Sequence, residues 1–401
     1  MKKYFGVILY LGIELFVQAQ NPNTWMRKAD FGGTHRAFAK GFSIDSFGYV
    51  GLGYFFQTDS SPFQQYPTDL WQYNPSTDGW MLKANFPAHG RWGSICFTIG
   101  SKAYFGLGNF YKDFWEYDPA ANSWTQKADF PGGSRDGAIA FSLGNRGYAG
   151  LGYSDTSTVE RDFWEYDPAL DIWTRKSDFA GSPRQRAVAF SIGSRGYVGL
   201  GYAPNNGQIS LRDFWEYDST SDSWLQKASF PDVATSASFC FSIGAKGYVG
   251  LGDDSVNHCY SNFWEYNPLS DQWLLKDSFG GGARTLGAGF SIGNRGFGGT
   301  GLYESPDKYL RDFWMYTPDS ISTGIADLDA TNITISPNPA TDKMYINNLP
   351  SATTLTVSDM TGRVLSTSSG RELDVSALPS GIYLLYAQNS AGAITKRFVK
   401  E

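Results

Sequence analysis

Arg36, Arg91, Arg135, Arg184 and Arg284 each stand six residues before a phenylalanine that opens the triplet Phe-Ser-Ile or a close variant of it. A guanidinium is planar, permanently charged and able to fork onto a carboxylate, sulfate or phosphate. Five of them gathered at one rim would form an anion-binding ring. The same regularity supports a second role, because a small ligand cannot engage five equivalent groups at once. Asp113, Asp162, Asp213 and Asp312 recur as well, and each offers an arginine a partner inside its own repeat. The fifth unit carries Thr235 where the others carry Arg, and broken symmetry is what a specific site requires.

Other residues invite chemistry less strongly. His35 and His89 lie beside Arg36 and Arg91 and are candidate ligand or acid–base groups, with surface loop histidines as the plainer reading. Glu116, Glu165, Glu216 and Glu265 are the right type for a glycosidase carboxylate pair. They occupy the same place in successive repeats, however, so they cannot converge on one bond, and Lys127, Lys176, Lys227 and Lys276 are their expected partners. His258 and Cys259 are adjacent but lack the spacing of a metal site, and no dense aspartate loop for calcium occurs. Cys96 and Cys240 fall at equivalent places in units on opposite sides, too far apart for a disulfide, and read as small core residues. No catalytic set, metal or cofactor is expected.

These residues are positioned by a repeat. Trp25, Trp80, Trp124, Trp173, Trp224 and Trp273 anchor it, at spacings of 55, 44, 49, 51 and 49 residues. A period near fifty with several short strands per unit predicts a β-propeller. In one unit the strands run from Arg135 to Leu143, Gly147 to Gly152, Asp162 to Asp167 and Trp173 to Lys176, separated by Gly-Asn-Arg-Gly and Asp-Pro turns. The chain begins with a lone fourth strand at Trp25 and its last unit ends at a third strand, Asp312 to Tyr316. Joining the two gives an all-β, six-bladed propeller over 20–318, closed by an N-terminal outer strand.

The repeat resembles the kelch motif in its leading Arg, glycine-rich second strand, Tyr-bearing third strand and Trp at a fixed distance. It departs in replacing a double glycine by Gly-x-Gly, as in Gly51-Leu52-Gly53, whose spacing would keep both glycines on one face. After Pro318 the composition changes. Residues 319–330 read as a linker, and 331–401 carry short alternating runs that predict a small β-sandwich. Ser336-Pro337-Asn338-Pro339, Thr361-Gly362-Arg363-Val364 and Leu378-Pro379-Ser380-Gly381-Ile382-Tyr383 resemble the C-terminal sorting domain of the type IX secretion system. That resemblance implies passage through the secretion machinery, export across the outer membrane of a Bacteroidota-type bacterium, and a domain that is an address rather than part of the mature activity.

Residues 1–19 agree with export: Lys2 and Lys3 precede an apolar run that ends in Val17-Gln18-Ala19, the pattern of a cleaved signal peptide. No transmembrane segment is expected in the mature protein, whether released or anchored at the surface. The net charge of −6 argues against a nucleic-acid partner. Loops after the second strands vary most and carry Tyr54, Phe110, Tyr111, Tyr153 and Tyr202, which with the five arginines, His35 and His89 form the candidate ligand surface. The leading expectation is a binding or adhesion module for an extracellular glycan, peptide or protein. The resemblance leaves two alternatives: a mutarotase- or epimerase-like enzyme acting on an anionic sugar at the arginine-lined mouth, or a structural surface component.

Overall fold

The computed structural model describes residues 23–56, 63–204, 209–303, 308–319, 334–347, 354–359, 364–389 and 392–401. The expected signal peptide, all but the first residue of the expected linker, and the Thr361-Gly362-Arg363 motif lie outside the described residues. The chain divides into two compact units after Pro318. No helix among the described residues is long and apolar enough to cross a membrane.

The first unit is built from six four-stranded antiparallel sheets. The third sheet is typical, with strands Ile139–Leu143, Arg146–Gly150, Phe163–Asp167 and Ile172–Lys176 in that order. The sixth takes its outer strand from the start of the chain: Thr24–Lys28 pairs with Phe313–Thr317, Trp25 lying opposite Tyr316. The sheets pack face to face through aromatic rings. Trp173 meets Phe130 and Phe114 edge-on at 5.2 and 5.0 Å, a contact worth about 0.5–1.5 kcal/mol beyond its buried area. At Gly147 a Cβ would fall inside the ring of Phe97 from the preceding sheet. Ala103 holds that place in the second sheet, where its neighbour Phe42 is drawn in to 4.8 Å from Tyr49, against 5.5 Å for Phe141 and Tyr148.

The inner strands begin later than the alternation predicts. The second residue after each leading position is left-handed: Phe38, Gly93, Gly137, Arg186, Ala237 and Leu286 have φ between 54° and 64°. That reversal ends the extended run, so the regular strand starts two residues further on, as at Lys40–Ile44 and Ile139–Leu143. The Gly-x-Gly expectation is corrected on the same ground. Leu151 (φ 58°) and Gly152 (φ 94°) both turn left-handed, so the two glycines do not share a strand face. The turn instead aims the second glycine's N–H at the next sheet, where it donates to the carbonyl of Arg184 at 2.9 Å. Equivalent bonds run from Gly53 to Arg91, Gly108 to Arg135, Gly201 to Thr235, Gly252 to Arg284 and Gly301 to Arg36, all between 2.8 and 3.0 Å.

The second unit is a three-stranded sheet, Thr334–Ser336, Lys343–Asn347 and Glu372–Asp374, beside a four-stranded one that ends in the long hairpin Gly381–Asn389 and Gly392–Lys400. Strand Lys343–Asn347 alternates exposed and buried residues. Its Met344 and Ile346 share a core with Leu355, Val357, Leu385 and Phe398 from the other sheet.

Candidate functional site

The five repeated arginines are wall, not lining. Arg36, Arg91, Arg135, Arg184 and Arg284 are at most 1 % exposed. Each forks onto one carboxylate of its own sheet, as Arg184 does on Asp213 at 2.7 and 2.7 Å, and each also donates to a carbonyl such as that of Leu200 at 3.0 Å. An aromatic ring lies below each guanidinium, Phe179 at 4.9 Å from Arg184. Burial alone pushes the Asp69, Asp113, Asp213 and Asp312 carboxyls up, but the hydrogen bonds and charge of the paired guanidinium outweigh it and hold them below the ordinary range. Sealed from solvent and each paired with a carboxylate of its own sheet, the arginines present no guanidinium face to a ligand, and the expectation of an anion-binding ring is corrected.

Thr235 is explained by the same accounting. In the fifth sheet Asn262 replaces the aspartate and Asp232 supplies the carboxylate, accepting from Asn262 Nδ2 at 2.6 Å and Trp264 Nε1 at 3.0 Å. Thr235 itself is buried. The missing arginine is therefore a swapped internal pair and does not open a pocket. The glutamates behave as expected: Glu116, Glu165, Glu216 and Glu265 lie 3.4–4.0 Å from Lys127, Lys176, Lys227 and Lys276.

The left-handed residues form a throat. Gly137 N–H donates to Gly93, Arg186 to Gly137, Ala237 to Arg186, Leu286 to Ala237 and Phe38 to Leu286, all between 2.8 and 3.1 Å. This chain of backbone bonds circles a narrow passage lined by those six residues. Below it lies an axial cavity of about 150 Å³ walled by Gly41, Cys96, Ala140, Ala189, Cys240 and Gly289 with Lys40. Cys96 and Cys240 thus line the channel while also packing against the cores of their sheets, in keeping with their reading as small core residues. Two residues further along each strand, alternation puts Ser43, Thr98, Ser142, Ser191, Ser242 and Ser291 on the same faces.

Side chains at the throat break the repeat. Phe38 and Leu286 form an apolar cluster with Tyr54, Trp92, Leu302 and Tyr309 packed against it. Arg186 lays its guanidinium over Phe38 at 5.2 Å and Trp92 at 5.9 Å. Its side chain makes no hydrogen bond or ion pair among the described residues, and Nε is buried without a partner. Two carboxylates feel its charge. Asp136 is 2 % exposed with Oδ1 unpartnered, in a place that only the missing side chain of Gly93 leaves open. Burial pushes Asp136 up to about 7, against the pull of Arg186, the Gly137 amide and Lys40. Asp253 is raised by burial too, and its Oδ1 accepts from Ser236 Oγ at 2.9 Å. Asp253 bridges Ser236 as Tyr54 bridges Ala37, Tyr202 bridges Gln185 and Leu302 bridges Thr285, so it is a carboxylate at a position where these other sheets put tyrosine or leucine.

The remaining candidates divide. Tyr54 belongs to the throat cluster, and His35 adjoins it, 6.0 Å from Tyr309 and 5.4 Å from Phe55 between ring centres. His89 stacks on Tyr111 at 5.5 Å, and Tyr111 in turn covers the Arg91 guanidinium at 4.6 Å, so both serve the wall of the second sheet. Phe110, exposed, meets Tyr153 at 6.2 Å as a separate pair, and Tyr202 is half-buried in its own loop. Sequence reasoning missed Arg186, Asp136, Asp253 and Trp92. For Arg186, Asp136 and Trp92 the available signal was variation at the two positions that follow the repeated arginine, and for Asp253 variation at the position after the second glycine. No group of metal-ligating side chains occurs among the described residues.

Comparison with known proteins bears on the two units separately. Residues 334–401 match the secretion system C-terminal sorting domain family. The protein is therefore exported by type IX secretion to the cell surface or the extracellular space. The chain is similar to the structure of YjhT, a kelch-type propeller protein, with a TM-score of 0.60 at 14 % identity, covering 71 % of this chain and 95 % of that one. That likeness establishes a propeller-like fold and carries no further. No curated protein matches the chain.

Proposed function

We propose that the protein is a secreted or surface-displayed binding module that takes an acidic glycan at the throat, the six sheets being blades of a ring closed by the strand Thr24–Lys28. The observation that carries this reading is Arg186, a cation seated on two aromatic rings with no side-chain partner among the described residues. A ligand carboxylate would fork onto it in a partly desolvated place, where charge-assisted bonds are strong. Trp92 and Tyr54 offer faces on which a sugar ring stacks, and Asp136 and Asp253 accept from its hydroxyls. The export route supports a target outside the cell.

The test is a glycan and peptide array probed with the full chain and with Arg186→Leu. Carboxylate-bearing glycans should bind and be lost in the variant. Hits confined to peptides, or hits indifferent to Arg186, would refute the reading.

One observation favours an alternative. A carboxyl that titrates near 7 is tuned for proton transfer at neutral pH, which is what epimerase- or mutarotase-like handling of an anionic sugar would need at Asp136. Anomer exchange followed by NMR in an excess of acidic sugar separates the two. Turnover that Asp136→Asn abolishes supports the enzyme, and capture without turnover supports the binder.

A further inference from the structure

The throat leaves one charged side chain of the channel without a role. Lys40 stands fourth after Arg36, where the other sheets place Ile95, Ile139, Val188, Phe239 and Ala288. It lines both the throat and the axial cavity. It makes no hydrogen bond or ion pair among the described residues. No other charged side chain lines either space except Arg186 at the throat.

The surroundings favour a guest of one kind. The wall beside Lys40 is made of small residues, and the cavity of about 150 Å³ has room for roughly five water volumes of ~30 Å³. Burial drives the Lys40 amine down, only partly offset by Cys96, Cys240 and Asp136, the groups that face it. Burial raises both thiols as well, Cys240 to about 11, so neither supplies a negative charge. The Cys240 thiol is already given to the Ala189 carbonyl at 3.3 Å, while Cys96 keeps a weak S–H donor beside the amine. Asp136 is the one carboxyl that acts on the amine, and it offsets the burial only in part; an anion brought alongside the ammonium offsets more of that cost. The hydroxyls further along the wall can replace part of an arriving anion's hydration.

We infer that the axial channel is a second binding site, for one small monovalent anion of the size of formate, acetate, nitrate or chloride, held by Lys40 Nζ with the Cys96 thiol beside it. The site lies next to the throat, with Lys40 lining both spaces, and it does not rest on the glycan reading.

The test uses the full chain. Calorimetric titration with sodium formate, nitrate and chloride, at ionic strength fixed by a bulky sulfonate, should give a saturable site. Lys40→Met keeps the length of the side chain and removes the charge, and should weaken binding by roughly tenfold or more. Crystals of the unaltered protein soaked in bromide should show an anomalous peak beside Lys40 Nζ. A peak at Arg186 instead, no peak in the channel, or binding that Lys40→Met leaves within about twofold would each overturn the proposal. Should Lys40→Met fail to fold, the bromide position decides alone.

Discussion

Replacing Arg184 by threonine should cost stability, and copying the fifth sheet's arrangement should restore it. Arg184→Thr removes two bonds to Asp213, donors to the Leu200 and Ser182 carbonyls at 3.0 and 2.9 Å, and a cation over Phe179. Asp213, with a side chain 23 % exposed, keeps Trp215 Nε1 at 2.8 Å and a bond from its own backbone amide. Breaking a buried pair by deleting one partner costs about 3–5 kcal/mol, and the residual solvent at Asp213 places this case near the low end, about 3 kcal/mol. At about 2–4 °C per kcal/mol for a unit of this size, the melting temperature of the first unit should fall by roughly 10 °C. The triple change Arg184→Thr, Asp213→Asn and Gly181→Asp reproduces Thr235, Asn262 and Asp232; the Cβ added at Gly181 is freed of the Arg184 guanidinium and asks the Phe179 ring to shift. It should recover more than half of the loss. The linkage has a definite sign: the pair lowers the folded pKa of Asp213, so its contribution is present above the unfolded value of about 4 and is lost as pH falls through the folded one. The deficit of Arg184→Thr should therefore shrink below about pH 4. Thermal unfolding followed by tryptophan fluorescence, at several pH values, measures all of this. A single variant within 1 kcal/mol of the unaltered protein, or a triple variant no better than the single, would refute the assignment of the arginines to the wall.

The other predictions concern the throat and the sheet contacts. Arg186→Leu should leave the melting temperature within about 2 °C while abolishing glycan capture, the opposite pattern to Arg184→Thr. Asp136 is raised to about 7, so the folded state holds a proton that the unfolded chain releases near pH 4, and stability falls as pH rises between those values by up to about 1.4 kcal/mol per unit. Asp136→Asn lacks that fall; urea unfolding from pH 4.5 to 8 should show its advantage growing to about pH 7 and then levelling, with Asp253 cancelling because it is present in both proteins, and a flat difference would count against the burial argument. Gly93→Ala should cost about 2 kcal/mol or more by equilibrium unfolding, from the left-handed backbone and the collision with Asp136, and a companion Asp136→Ser should recover the collision but not the backbone part. Gly147→Ala should destabilise by about 1–3 kcal/mol through the Phe97 ring, whereas Ala103→Gly in the second sheet should cost about 1 kcal/mol or less by the same assay.

Much of the strand pairing is legible because it rests on alternation and turn chemistry. The opposition of Trp25 and Tyr316, the glutamate–lysine pairs and the hairpin turns all follow from residue type at fixed spacing. The throat follows from a backbone reversal, and alternation is blind to the sign of φ. Nothing in Arg184-Gln185-Arg186 says that the first arginine is sealed in the wall while the second is turned onto the axis. The three residues between Arg36 and Lys40 likewise hide the fact that a lysine lines the channel at a place where the other sheets carry an apolar residue. Repetition was a sound guide to what is structural, and Thr235 shows its limit, since a departure from the pattern can be a compensated swap.

The register that joins Thr24–Lys28 to Phe313–Thr317 has a consequence for life outside the cell. If the chain is cut close after Pro318, the new carboxyl end follows on a strand zipped along five residue pairs to Thr24–Lys28. Exopeptidases need a frayed end, and here each terminus splints the other across some 290 residues of sequence. To start trimming from either side, a protease must first peel off a strand that carries Trp25 or Tyr316 out of an aromatic stack with Phe263 and Phe279. Trimming that reaches either of these two strands must therefore wait for the one sheet that holds them both to open.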